Sequence, residues 1–362
     1  MTTDPRDGIP CMLMRGGTSK GAYFLAADLP SDPAERDALL LRIMGSPDPA
    51  QIDGLGGAHP LTSKVAIISA STTPDADVDY LFLQVAVDEA LVSTTQTCGN
   101  LLAGVGPFAL ERGLVTASGD SARIRIALRN TGDVATATFP TSDGRPEYAG
   151  DRHIDGVPGT AGAIDLEVTA GPGKALFPSG SVVDVVEGLH VTLVDNGMPT
   201  VLIAAADVGA SGAESPDELE GDAALRERIE RLRRAAGERM GLGDVAEQTV
   251  PKVILLAPAQ AGGAIGTRAF IPHRVHTSIG VLMAASVAAA VRVPGTVAAD
   301  IPSGPASSSD GDGPLAIEHP SGSLDTEVTV HRDADGTWRA ASLSHRTARK
   351  IFDGRVFPGP IR

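Results

Sequence analysis

Two side chains in this sequence are placed to move protons. Cys98 stands in "TTQTCGNLLAGVG", directly before an apolar, glycine-spaced run. A cysteine at that position sits at or beside a helix N-terminus, where unpaired backbone N–H groups and the helix dipole lower a thiol's pKa. The same N–H groups bind a carboxylate or an enolate oxygen. Gly99 lets the backbone approach a ligand closely, and Asn100 offers an amide to it. Lys64, after Ser63 in "LTSKVAIIS", opens an apolar strand. Desolvation there brings a lysine down towards a useful acid–base range. Only Lys20, Lys64, Lys174, Lys252 and Lys350 are lysines among 30 basic residues, so arginine carries most of the positive charge.

Other groups suit an anionic ligand. "RGGTSKG" supplies Arg15, Thr18 and Ser19 on a Gly-rich turn between two strands; it lacks P-loop spacing, and no helix follows it. "RAFIPHRVHTS" supplies Arg268, His273, Arg274 and Ser278, and arginine forks hold carboxylates through two bonds. His273 and His276 do not form a metal motif, and two cysteines far apart make neither a disulfide framework nor a zinc cluster.

These residues sit on short β-rich runs bounded by turn residues: "IPCMLMRGG", "KVAIISA", "VDYLFLQVAV", "ARIRIALRN", "LHVTLVDNG" and "VPKVILLAP". Helices are expected at 32–45, 99–113, 217–240 and 277–291; the 217–240 helix, charged on one face, reads as a solvated insert or a layer helix. Three segments recur in the same order. "GGTSKGAYFLAADL" matches "NGMPTVLIAAADV", "SKVAIIS" matches "PKVILLA", and "TCGNLLAGVGPFAL" matches "TSIGVLMAASVAAA". An internal duplication follows, with halves at about 1–185 and 186–345 and a C-terminal segment 346–362 returning to the first half. Lys64 then corresponds to Lys252, and Cys98 to Ser278.

The net charge of −15 excludes nucleic acid and anionic membranes as expected partners, since both need basic patches. It leaves room for a locally positive pocket that takes a small anion. The N-terminus "MTTDPRDGIP" does not read as a signal peptide, and no run is long and apolar enough to span a membrane, so a cytoplasmic location is expected.

The ordered set "MRGGTSKG", "GLGG…LTSKVAII", "TCGNLLAGVGPFA", "DNGMP" and "PHRVHTSIGV" resembles the PrpF family of the diaminopimelate-epimerase-like superfold, over nearly the whole chain. The resemblance implies an α+β fold of two pseudo-symmetric domains, each a bent antiparallel sheet around a central apolar helix. It implies a cofactor-free isomerase, without metal, that shifts a proton in an unsaturated di- or tricarboxylate, and it allows a homodimer. The reaction it points to is keto–enol tautomerisation of 4-oxalomesaconate, an acid of gallate degradation. Cis–trans or allylic isomerisation of aconitate or 2-methylaconitate is the alternative, and a non-catalytic polycarboxylate-binding protein the alternative of another class. Lys64 and Cys98 are the expected proton carriers, facing one another across a cleft between the domains. Racemases of the superfold pair two cysteines; here the second position is Ser278, and Cys11 lies in the first strand, so a two-thiol racemase is disfavoured.

Overall fold

The structure, a computed structural model, describes residues 7–169, 174–302 and 313–360. The first six residues of the N-terminal stretch read above lie outside that range. The chain forms two compact units, one made of residues up to Leu166 together with those from His345 onward, the other of Glu167–Ser344. The segment 167–185, grouped by the repeat with the first half, belongs to the second unit. There the Leu176 N–H donates to the Trp338 carbonyl and the Asp195 N–H to the Leu176 carbonyl. His345 belongs to the first unit, its ring 2.6 Å from Asp165.

In the first unit, β1 (Ile9–Gly16) and β2 (Ser19–Leu25) form an antiparallel hairpin. Helix α1 (Pro33–Met44) follows. Asp32 caps it by accepting from the Glu35 N–H, Pro33 opens it, and Gly45 ends it in the left-handed conformation. β3 (Lys64–Ala70) runs parallel to β2, and β4 (Val78–Val85) antiparallel to β3. After the short β5 (Val92–Ser93) comes α2 (Gly99–Glu111). β6 (Ser121–Leu128) is parallel to β4 and antiparallel to β7 (Asp133–Ser142), with β8 (Arg145–Pro146) and β9 (Ala163–Thr169) beyond. One face of the sheet, with Cys11, Phe24, Val65 and Leu83, packs on Leu40, Ile43 and Met44 of α1. Helix α2 is buried at every position from Gly99 to Leu110, as an all-apolar helix must be. Its glycines set the distance to the strands: a Cβ on Gly104 would lie 2.5 Å from the Tyr23 hydroxyl.

The second unit repeats that plan. β10 (Asp184–Val186) pairs with β11 (Leu189–Asp195), and β11 forms an antiparallel hairpin with β12 (Pro199–Ala204). Helices α3 (Pro216–Gly221) and α4 (Ala223–Arg239) intervene. β13 (Lys252–Ala257) is parallel to β12 and antiparallel to β14 (Ile265–Phe270). Helix α5 (Val281–Arg292), buried from Val281 to Ala290, and the short α6 (Val297–Asp300) lead to β15 (Leu315–His319), parallel to β14. β16 (Gly322–Arg332) and β17 (Trp338–Val356) complete the chain. Hairpin, parallel strand, antiparallel strand, buried helix, parallel strand and antiparallel strand thus occur in the same order in both units. The register agrees to the residue: Gly21 lies opposite Lys64, and Thr200 opposite Lys252.

The single helix expected at 217–240 is two helices. Asp222 leaves the helical conformation and accepts from the Leu225 N–H, capping α4 anew. Of the two readings of this segment, α4 is the layer helix. Leu225, Ile229, Leu232, Ala236 and Met240 enter the core of the second unit. Arg233 is fully buried, and all its donors are engaged by Glu230 and by the Val245, Gln248 and Val250 carbonyls. Among the described residues no helix is long and apolar enough to cross a membrane.

Candidate active site

The candidate site is built where three elements of the first unit meet: the β1–β2 turn, the start of β3 and the N-terminus of α2. Cys98 is the N-cap residue of α2, half-buried, and its side chain caps no backbone N–H. The Leu102 N–H donates to its carbonyl at 2.9 Å, and the Tyr80 hydroxyl does so at 3.3 Å. Burial, and then the charge of Cys98, hold the phenols of Tyr80 and Tyr23 well above their ordinary range.

Lys64 is buried, 7% exposed, at the first position of β3. Its ammonium donates to Gln84 Oε1 at 2.7 Å and lies 5.1 Å from the centre of the Phe82 ring. Burial lowers its pKa, and the charge of Cys98 pulls it partly back. Lys64 and Cys98 therefore sense one another, and both belong to the first unit. Both were expected in the first half of the chain, and β3 and the α2 N-terminus that carry them do belong to one unit.

Gln51 and Gln84 hold the loop before Lys64. Gln51, 1% exposed, donates to Ser46 Oγ and Ser63 Oγ and accepts from the Ala58 N–H. Gln84 donates to the Pro60 and Ser63 carbonyls while accepting from Lys64. Ser63 is fully buried in this network, so its hydroxyl supports the loop.

On the other side stands the "RGGTSKG" turn. Asn100 donates to Thr18 Oγ1 at 3.1 Å and accepts from the Thr18 N–H and from Arg346 Nη2. Its amide, expected to meet ligand, holds the turn through these bonds. Arg15 donates through Nη1 to the Gly17 carbonyl and to the carbonyl and hydroxyl of Thr347, which pins the turn to β17. Burial and then the Arg349 charge lower its pKa. Ser19 is 2% exposed and its hydroxyl is unpartnered; the Thr97 hydroxyl, one residue before Cys98, is likewise buried and unpartnered. Gly99 is the buried first residue of α2.

The remaining predicted residues lie in the second unit. Arg268 donates to the Glu214 and Thr267 carbonyls, its pKa lowered by burial. Arg274 is exposed and paired with Glu220 at 2.8 Å, and His273 is exposed on the same turn. Ser278 is not the cap of α5. That residue is Gly280, and Ser278 lies two positions earlier, its N–H on His276 Nδ1 and its hydroxyl 3.4 Å from His319 Nε2. Lys252, the counterpart of Lys64, donates to the Thr249 carbonyl at 2.5 Å.

The sequence left Arg346, Gln51, Gln84, Tyr23 and Tyr80 unnamed. Arg346 reaches the site only because β17 returns to β1, a pairing no local motif announces. Gln84 could have been found from the ladder, since it lies directly opposite Lys64. Among the described residues no group of three His, Cys, Asp or Glu side chains could hold a metal ion.

The twice-repeated α+β unit has the diaminopimelate-epimerase-like architecture, a fold it shares with a solved probable proline racemase and a solved hydroxyproline epimerase, 16% and 13% identical. The PrpF protein family model matches residues 7–358, and the chain belongs to that family. It is 58% identical to the (4E)-oxalomesaconate Delta-isomerase of Novosphingobium sp. (strain KA1), covering 97% of this chain and 98% of that one. It is 55% identical to the 4-oxalomesaconate tautomerase of Pseudomonas putida, covering 97% and 96%. A solved methylitaconate-delta-isomerase shares 34% identity and a TM-score of 0.75, over 96% of this chain and 94% of that one.

Proposed function

We propose that this isomerase interconverts the keto and enol forms of 4-oxalomesaconate, with Lys64 and Cys98 carrying the proton. The observation that carries the substrate is that two relatives, 58% and 55% identical across nearly the whole chain, are both named for oxalomesaconate. The pairing of Lys64 with Cys98 supports the chemistry. In the keto-to-enol direction a C–H bond α to the carbonyl breaks, its proton passes to a base, and the carbonyl oxygen gains a proton from an acid. Burial raises the share of neutral Lys64 amine able to accept a proton. Cys98 lies where the first N–H groups of α2 can stabilise the negative charge that develops on the oxygen.

The name of the 58% relative favours a second reading, in which the carbon–carbon double bond of the same acid shifts. Both reactions remove a proton next to a carbonyl or a conjugated acid; they differ in the atom that receives it. Incubation of purified protein with 4-oxalomesaconate in deuterated water, followed by NMR and ultraviolet absorption, separates them. Tautomerisation returns deuterium to the α carbon and leaves the carbon skeleton unsaturated at the same bond. A bond shift labels the allylic carbon instead. Absence of both changes refutes the substrate assignment, and the same assay with aconitate and 2-methylaconitate then tests the alternative acids.

A further inference from the structure

Among the described residues two arginines, Arg233 and Arg346, are almost fully buried, and they are treated oppositely. Arg233 has its Nε and both terminal nitrogens bonded to Glu230 and three carbonyls. Arg346, 3% exposed, makes one hydrogen bond, from Nη2 to Asn100 Oδ1 at 3.0 Å, and its Nε is buried without a partner. No carboxylate pairs with it among the described residues. Burial, and then the charge of another cation, Arg15, take its pKa down to about 10 and leave it charged at neutral pH. A buried, unmatched guanidinium is an arrangement that folding alone does not favour.

Its surroundings are short of the same thing. A Cβ on Gly17 would lie 3.0 Å from Arg346 Nη2, so the guanidinium lies against the β1–β2 turn. In that turn Ser19 has a buried hydroxyl without a partner, and ahead of the α2 cap so does Thr97. Asn100, which accepts from Arg346, is the second residue of α2. Arg346 thus meets the start of α2 and the β1–β2 turn with no carboxylate on it among the described residues, and one residue from each of those segments, Ser19 beside the turn and Thr97 ahead of the helix, holds a buried hydroxyl without a partner.

We propose that Arg346 is the seat of one substrate carboxylate, with the Ser19 and Thr97 hydroxyls as accessory donors. It is thus a binding residue that orients the acid beside Lys64 and Cys98. The proposal rests on the reading of the chain as a polycarboxylate isomerase, and it places the anion on the first unit.

The test uses tricarballylate, a saturated tricarboxylate with no keto group or double bond to isomerise. Calorimetry should show that the unaltered protein binds it, and that Arg346→Gln binds it about thirtyfold more weakly or worse. The free Arg346→Gln protein should melt no lower than the unaltered one, because the unmatched charge is gone. A merely structural arginine predicts the reverse, a lower melting point with binding retained. Should Arg346→Gln fail to fold, Arg346→Lys keeps the charge without the fork and should weaken tricarballylate about tenfold. Unchanged affinity in the variant that folds, or no binding by the unaltered protein, overturns the proposal. Arg346-dependent tricarballylate binding without turnover of 4-oxalomesaconate leaves the seat standing and removes the substrate reading. Turnover with unaltered tricarballylate affinity in the variant does the opposite.

Discussion

Lys64 and Gln84 are direct cross-strand partners, and the lysine donates to the glutamine's Oε1 at 2.7 Å. The bond favours the ammonium form, while burial opposes it. If Lys64 accepts the proton, kcat/KM rises as pH rises through the lysine's pKa, with a midpoint below the ordinary lysine value of 10.5. Gln84→Met removes the acceptor and makes the neutral amine easier to form, so the rising limb should move to lower pH. A pH–rate profile of the two proteins reads the direction. Lys64→Ala should lose the limb and at least about a hundredfold in kcat.

Cys98 tests whether chemistry or helix capping governs its position. Its side chain caps nothing, so Cys98→Ala should leave the circular dichroism unchanged and lower kcat at least about a hundredfold. Cys98→Ser introduces a good capping hydroxyl at a residue already in the extended conformation. It should stabilise the fold by about 0.5–1 kcal/mol while turnover falls. Denaturant melts and initial rates on the same preparation measure the opposed signs, and near-normal turnover in both variants removes Cys98 from the mechanism.

Gly17 has a φ of +50° and leaves room for Asn100, whose Oδ1 would lie 2.2 Å from a Cβ added there. Gly17→Ala should cost at least about 1 kcal/mol from the left-handed conformation alone, before the clash is counted. Because Asn100 must then move away from Thr18 and Arg346, kcat/KM should fall as well. Thermal melts and steady-state rates check both effects.

Arg233 gives the contrasting stability prediction. Its loss in Arg233→Met leaves three carbonyls and Glu230 without their donor. Removing one partner of a buried pair costs about 3–5 kcal/mol, and the partial exposure of Glu230 puts the expectation at the lower end. Chemical denaturation measures it.

Much of this was legible in the residues. The apolar runs and their turn residues gave the strands, and the three ordered matches gave Lys252 as the counterpart of Lys64, which the parallel-pair registers reproduce. Cys98 at a helix mouth followed from one polar–glycine boundary. Contacts made far along the chain were not legible. Nothing near Arg274 announces Glu220, and nothing near Asn100 announces Arg346, because each partner arrives from another element. The break at Asp222 did carry a local signal, a poor helix former, Gly221, followed by a good N-cap residue, and the cap hydrogen bond to the Leu225 N–H shows where the second helix begins.

Strand β17 pairs with β16 at its start and with β1 from Ala348 to Val356. Arg15 and Thr347, bonded through one guanidinium, stand 332 residues apart in the chain. During synthesis the first half of the first unit therefore emerges early yet waits for residues 346–356 to complete its sheet, its turn and its buried arginine. The second unit, contiguous in sequence, can close before it. A chain lacking residues 345–356 would carry Lys64 and Cys98 without Arg346, so the complete candidate site exists only once that segment has joined the first unit.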